Sequence, residues 1–237
     1  MLTIHIAGLN IGLETETPYI LRSCGDFVTM DAPDFTVRAT AAEIAAEQGI
    51  HGCSAAVAEF VCLYRAIAEL LPDYDRFVLH GATIETGGGA YIFTARSGTG
   101  KTTHIRLWME RYGEAVRIVN GDKPIIWKKD GLWYACGTPW CGKERLTGTD
   151  CVPVSGLCLL QRAKENSIRP ASAEELINAI FHQVYRPKDT ARLLRFLSLL
   201  DDFLRSTPVW QMGCNMDVSA AELAHDAMVP NNSMSGD

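Results

Sequence analysis

The sequence predicts an α/β protein built on a mixed β-sheet, and three observations carry that prediction. Short apolar runs, alternating or unbroken, read as strands. Stretches with apolar residues at i, i+3 and i+4 read as helices. Near the middle of the chain a strand, a Gly-rich loop and a helix follow one another directly.

Taken in order, Leu2-Thr3-Ile4-His5-Ile6 alternates as a strand, and Phe35 to Ala39 does so again after a turn-rich stretch containing Pro33 and Asp34. Thr40-Ala41-Ala42-Glu43 is a capping box that opens a short helix. From Ser54 to Leu71 a stripe of Val57, Phe60, Val61, Tyr64, Ile67 and Leu71 recurs at helical spacing and belongs in a core. Arg76 to Ile84 reads as one strand, Gly87-Gly88-Gly89 turns it back, and Ala90 to Thr94 follows as a buried strand, so His80 sits within a β-hairpin. Thr103 to Tyr112 is a helix, Val116 to Val119 a strand, and Lys129-Asp130-Gly131 the turn of a further hairpin. A long polar loop runs from Gly137 to Gly148, and Gly156 to Gln161 is another strand.

The last third opens with a second capping box at Ser172-Ala173-Glu174-Glu175 and a helix reaching about Tyr185. An amphipathic helix from Asp189 to about Arg205, a short strand Val209 to Met212 and a helix from about Asp217 to Met228 complete it. These elements divide into an N-terminal α+β portion (1–73), a core with C-terminal helices covering one face (74–228) and a polar, disordered tail (229–237).

The loop between strand and helix reads Ala95-Arg96-Ser97-Gly98-Thr99-Gly100-Lys101-Thr102-Thr103, the spacing of a phosphate-binding P-loop with Ala95 where the general pattern has Gly. Gly98 and Gly100 let successive backbone N–H groups converge on phosphate oxygens, and the helix N-terminus adds its dipole. Ser97, Gly98, Thr99, Gly100, Lys101, Thr102 and Thr103 are therefore the predicted nucleotide-binding residues. Lys101 reaches the β- and γ-phosphates, and the Thr102 hydroxyl ligates Mg²⁺. The fold class sharpens to a P-loop core on a mixed sheet. Asp122 follows the strand ending Val119-Asn120-Gly121, where P-loop proteins supply a carboxylate for the metal, so Thr102 and Asp122 are the predicted metal residues.

Composition excludes other classes. At 237 residues, 47% hydrophobic and 21% charged, the chain is globular, and a net charge of −6 without a Lys/Arg cluster argues against nucleic acid as a partner. No run is long enough to span a bilayer, and the first residues lack the basic leader of a signal peptide, so the expected location is cytoplasmic. The eight cysteines form no Cys-x-x-Cys pair and are expected as buried thiols.

Leu79-His80-Gly81-Ala82, the stretch Phe93 to Thr103, and Asn120-Gly121-Asp122-Lys123-Pro124 occur in this order. Together they resemble the catalytic core of bacterial HPr kinase/phosphorylase-like proteins. The Ser-Gly-Thr-Gly-Lys-Thr-Thr stretch is equally similar to ATP-dependent phosphoenolpyruvate carboxykinases, members of the same P-loop superfamily. The resemblance implies ATP as the nucleotide with Mg²⁺, phosphoryl transfer to a serine hydroxyl of a protein or peptide, His80 beside the transferred phosphate or its metal, and assembly into a homo-oligomer. The chain departs from its relatives at Gly121, where they carry the first of two consecutive acids, one for the metal and one as the acceptor's base. With Asp122 on the metal, the base falls to His80 or Glu144. Two alternatives stay open: carboxykinase chemistry on oxaloacetate, and a nucleotide-binding protein without catalysis, for which Gly121→Asp is expected to raise activity. Tyr134 to Arg145 is similar to a recurrent element of small proteins in this group, and its Lys143 and Arg145, on a Gly-bounded loop, have the chemistry to close over a γ-phosphate.

Overall fold

The computed structural model describes residues 1–230; all but the first two residues of the expected disordered tail lie outside the described residues. β1 (Leu2–Ile6) and β2 (Leu9–Glu14) form a hairpin turned at Ala7 and Gly8, which both have positive φ, 49° and 72°. After α1 (Pro18–Cys24), β3 (Val28–Thr29) and β4 (Phe35–Arg38) flank the hairpin in the order β3-β1-β2-β4. α2 (Ala41–His51) begins at the expected capping box, with the Thr40 hydroxyl accepting from Glu43 N and the Glu43 carboxylate accepting from Thr40 N. α3 (Ala55–Leu70) covers this small sheet: Leu63 and Ile67 share a core with Ile4, Ile6, Ile11 and Leu13.

The other strands are β5 (Arg76–Val78), β6 (Gly81–Thr86), β7 (Gly89–Thr94), β8 (Arg117–Asn120), β9 (Ile125–Lys129), β10 (Leu132–Cys136), β11 (Cys151–Arg162), β12 (Ser167–Ala171) and β13 (Val209–Cys214). They form one mixed sheet in the order β5-β9-β10-β11-β7-β6-β8, with β13 added to β11 and β12 to β13. β7, β11 and β13 run parallel, so their carboxyl ends at Thr94, Arg162 and Cys214 open on the same side, where ligands bind in open α/β sheets. β7 is buried along its whole length. Ala90 and Ile92 pack on the side of α5 (Ala173–Phe181) and α6 (Thr190–Ser206), while Tyr91 and Phe93 pack on the side of α4 (Lys101–Tyr112) and α7 (Ser219–Met228).

Several expectations need correction. Arg76 to Ile84 is not one strand. β5 pairs with β9, whereas β6 pairs with β7 and β8, and the break at Leu79-His80 lets the chain change partners. His80 therefore lies just before the β6–β7 hairpin rather than within it. The helix expected to reach Tyr185 ends at Phe181, because the following backbone bonds across this break: His80 N donates to Gln183 O and Tyr185 N to Val78 O. The loop after β10 is polar only in its second half; Gly137 to Cys141 are buried, with the Trp140 indole donating to Phe60 O at 2.9 Å. Cys136 and Cys151, directly opposite on β10 and β11, form a disulfide, so two of the eight cysteines are not thiols. No helix among the described residues is long and apolar enough to cross a membrane.

Candidate functional site

The loop from Ala95 to Gly100 leaves the end of β7 and delivers Lys101 to the first turn of α4. Gly98 and Gly100 have φ of 79° and 118°, and no atom lies closer than 4.0 Å to a Cβ built on either. Glycine is needed here for backbone conformation, not for lack of room. Lys101 is buried, and its Nζ donates to Ala95 O at 3.2 Å, curling the side chain back over the loop. Burial lowers its proton affinity while the Asp122 charge pulls the other way.

His80, at the break between β5 and β6, is held on three sides. Its Nε2 lies 3.1 Å from Asp122 Oδ1 and its Nδ1 3.1 Å from Gln183 Oε1. Its carbonyl accepts from the hydroxyl of Thr94, the last residue of β7, at 2.9 Å. An oxygen thus lies within hydrogen-bond reach of each ring nitrogen and fixes the plane of the imidazole. Asp122 sits in a turn organised by Asn120, a fully buried side chain whose Oδ1 accepts from Asp122 N and Lys123 N while its Nδ2 donates to Thr138 O. Burial alone would raise the Asp122 pKa, but the His80 hydrogen bond and the Lys123 ammonium, 3.0 Å from Oδ2, bring it down to about 2. Asp122 is thus ionised at neutral pH.

These placements converge. His80, Ser97, Gly98, Gly100, Lys101, Thr102, Thr103 and Asp122 line one cavity of about 250 Å³ at the N-terminus of α4. Thr102 and Asp122 also line a neighbouring cavity of about 300 Å³, shared with Lys143 and Glu144. Arg145 borders neither, Thr99 lies on the outer side of the loop, and Glu144 is engaged by Arg106 of α4. Thr102 and Asp122 offer two hard oxygen donors, which suits a Mg²⁺ ion that keeps most of its waters. Among the described residues no group of three or more His, Cys, Asp or Glu forms a fuller metal cluster.

Sequence reading missed four residues here. Asn120 lies two residues before Asp122 and Lys123 directly after it, and the Asn-Gly-Asp-Lys run is itself a turn signal that could have found them. Gln183 and Arg162 carry no local signal. Arg162, at the end of β11, donates to the carbonyls of Gly98 and Thr99 and so holds the outer face of the loop. The structure also closes the position opposite Asp122: a Cβ on Gly121 would stand 2.9 Å from Cys141 O and 3.2 Å from Leu146 O. An acid at 121 does not fit this backbone, so the expected gain from Gly121→Asp is not supported.

No family model matches the chain, and no curated protein matches it in sequence. Among solved structures, the HPr(Ser) kinase/phosphatase from Coxiella burnetii is similar at 9% identity over 63% of this chain and 95% of that one, with a TM-score of 0.37. A superposition that loose carries no residue assignment.

Proposed function

We propose that this protein is an ATP-dependent kinase that transfers the γ-phosphoryl group to a serine hydroxyl of a protein or peptide. One observation supports this above the others: a lysine, a threonine hydroxyl, an ionised aspartate and an oriented histidine meet in one cavity at a helix N-terminus reached by a glycine loop. The backbone N–H groups from Ser97 to Thr103 cradle the phosphates, and Lys101 neutralises charge on the γ-phosphate. Thr102 and Asp122 would hold Mg²⁺, which when bound would neutralise phosphate charge.

The serine oxygen forms a bond to the γ-phosphorus as the bond to the β–γ bridging oxygen breaks, and ADP leaves with that electron pair. The hydroxyl proton passes to His80 Nε2. Gln183 fixes the ring through Nδ1, and Asp122 stabilises the imidazolium, the division of labour seen wherever a histidine base is backed by an oriented acceptor. Lys143 lines the cavity it shares with Thr102 and Asp122 and Arg145 does not, so Lys143 is the basic group of the 137–148 loop assigned to the developing charge.

The test is Mg²⁺-dependent transfer from γ-labelled ATP with a Lys101→Ala control. Loss of ATP binding in the variant is the expected result, and unchanged affinity would refute the site. A second reading, an ATP-binding protein without turnover, is favoured by the closed position at Gly121. Tight ATP binding without transfer or hydrolysis would select it.

A further inference from the structure

Four cavities lie around the glycine loop and the first turn of α4. One is the phosphate cavity and one borders Lys143; a third, of about 470 Å³, lies towards α4 and Met216. The fourth, of about 410 Å³, lies on the α5 side of the sheet and differs in charge. Arg96, Thr99, Gln161, Arg162, His182 and Gln183 supply its polar lining, and no Asp or Glu lines it. In a chain of net charge −6 that is an unusual concentration of basic and amide side chains without a carboxylate. Neither Arg96 nor Arg162 forms an ion pair among the described residues; Arg162 donates through Nε and Nη2 to the Thr99 and Gly98 carbonyls. The cavity is also tied to the chemistry. Gln183, which lines it, holds His80 Nδ1 at 3.1 Å, and Arg96 immediately precedes Ser97 of the phosphate cavity.

We infer that this cavity seats the acceptor, and that the acceptor is an acidic peptide segment whose carboxylates flank the serine to be phosphorylated. The inference rests on the kinase reading above and adds its substrate class. Guanidinium groups recognise carboxylates through paired N–H donors, and a cavity walled by cations and amides rejects a basic segment by leaving like charges together. A peptide lying across Arg96, His182 and Gln183 touches the residue that orients His80 and, at Arg96, lies one position along the chain from Ser97 of the phosphate cavity.

The experiment uses the full chain, γ-labelled ATP and two capped pentapeptides, Ac-Glu-Glu-Ser-Glu-Glu-NH₂ and Ac-Lys-Lys-Ser-Lys-Lys-NH₂. The wild type is expected to label the acidic peptide at least about tenfold faster than the basic one. The exposed changes His182→Glu and Arg96→Glu, each checked for an unchanged thermal midpoint, are expected to erase or invert that ratio through KM while leaving Mg-ATP affinity within about twofold. Equal rates for the two peptides, or transfer to neither while ATP still binds in a Lys101-dependent manner, overturns the acceptor cavity and leaves the nucleotide site standing. A fall in ATP affinity matching the fall in transfer also overturns it, because the cations would then serve the triphosphate. Absence of ATP binding in the wild type removes the kinase reading itself and this inference with it.

Discussion

Gly121 has room for hydrogen and nothing larger, and that limit decides what the turn before Asp122 can do. The carbonyl oxygens of Cys141 and Leu146 close on it from the 137–148 loop, and its own N–H donates to Leu146 O at 2.8 Å. Gly121→Ala is expected to cost about 1–3 kcal/mol, since backbone atoms rather than a flexible side chain must move. Gly121→Asp should lower nucleotide turnover rather than raise it; a thermal melt and a turnover assay on both variants check this, and a stable, more active Gly121→Asp would show that the loop yields freely. His104 gives a second test. It is 2% exposed, and its Nε2 accepts from the Trp108 indole while Nδ1 has no partner, so burial holds its pKa down at about 4. The unfolded chain takes up this proton near pH 6.5 and the folded chain does not, so the stability it contributes is whole above about pH 6.5 and is lost as pH falls towards 4, by up to about 3 kcal/mol. Urea unfolding at pH 7 and pH 4.5 should show that loss in the wild type and a smaller one in His104→Phe. An equal loss in both would mean that other groups carry the acid sensitivity.

Elements with strong periodicity or caps were legible in the sequence, and those defined by distant partners were not. Thr40 and Glu43 marked the start of α2 because a capping box is a local hydrogen-bond exchange, and the unbroken apolar run of β7 marked a strand buried on both faces. The break at Leu79-His80 was invisible because it arises from bonds to Pro124, Gln183 and Asp122, far away in the chain. Likewise His80, Lys101 and Asp122 could be picked out by their surroundings in sequence, while Gln183, which orients His80, lies 103 positions away. The cysteines failed as a sequence signal for the same reason: Cys136 and Cys151 meet only because β10 and β11 are in register. Their bond closes a segment, sequence separation 15, that carries Trp140, Lys143 and Arg145. Chain-entropy arguments put such a closure at about 3 kcal/mol, so Cys136→Ser with Cys151→Ser, or treatment with dithiothreitol, should lower the unfolding midpoint measured in urea. Insensitivity to reductant would mean that the hydrogen bonds from Asn120 to Thr138 and from Gly148 to Val119 already fix the loop.

At the scale of the molecule, the division expected at residue 73 meets a core that crosses it. Ile4, Ile6, Ile11 and Leu13 of the small sheet share one apolar cluster with Val78 of β5, Ile125 of β9 and Cys136 of β10. Trp140 extends that cluster towards the candidate site, stacking on Phe60 with ring centroids 5.1 Å apart and immediately preceding Cys141, which lines the cavity of Thr102 and Asp122. A Cβ on Gly8 would meet Trp127 at 2.7 Å, so the β1–β2 turn is itself seated against the larger sheet. Contacts of this kind, apolar and buried on both sides of a boundary, couple the two parts in unfolding as a single domain is coupled. Calorimetry should therefore show one transition whose van't Hoff and calorimetric enthalpies agree, and Trp140→Ala should lower that single midpoint by the equivalent of about 3–5 kcal/mol while weakening nucleotide binding through the loop it anchors. Two resolved transitions, with nucleotide raising only the second, would instead make residues 1–73 an independent unit and confine the site to the larger sheet.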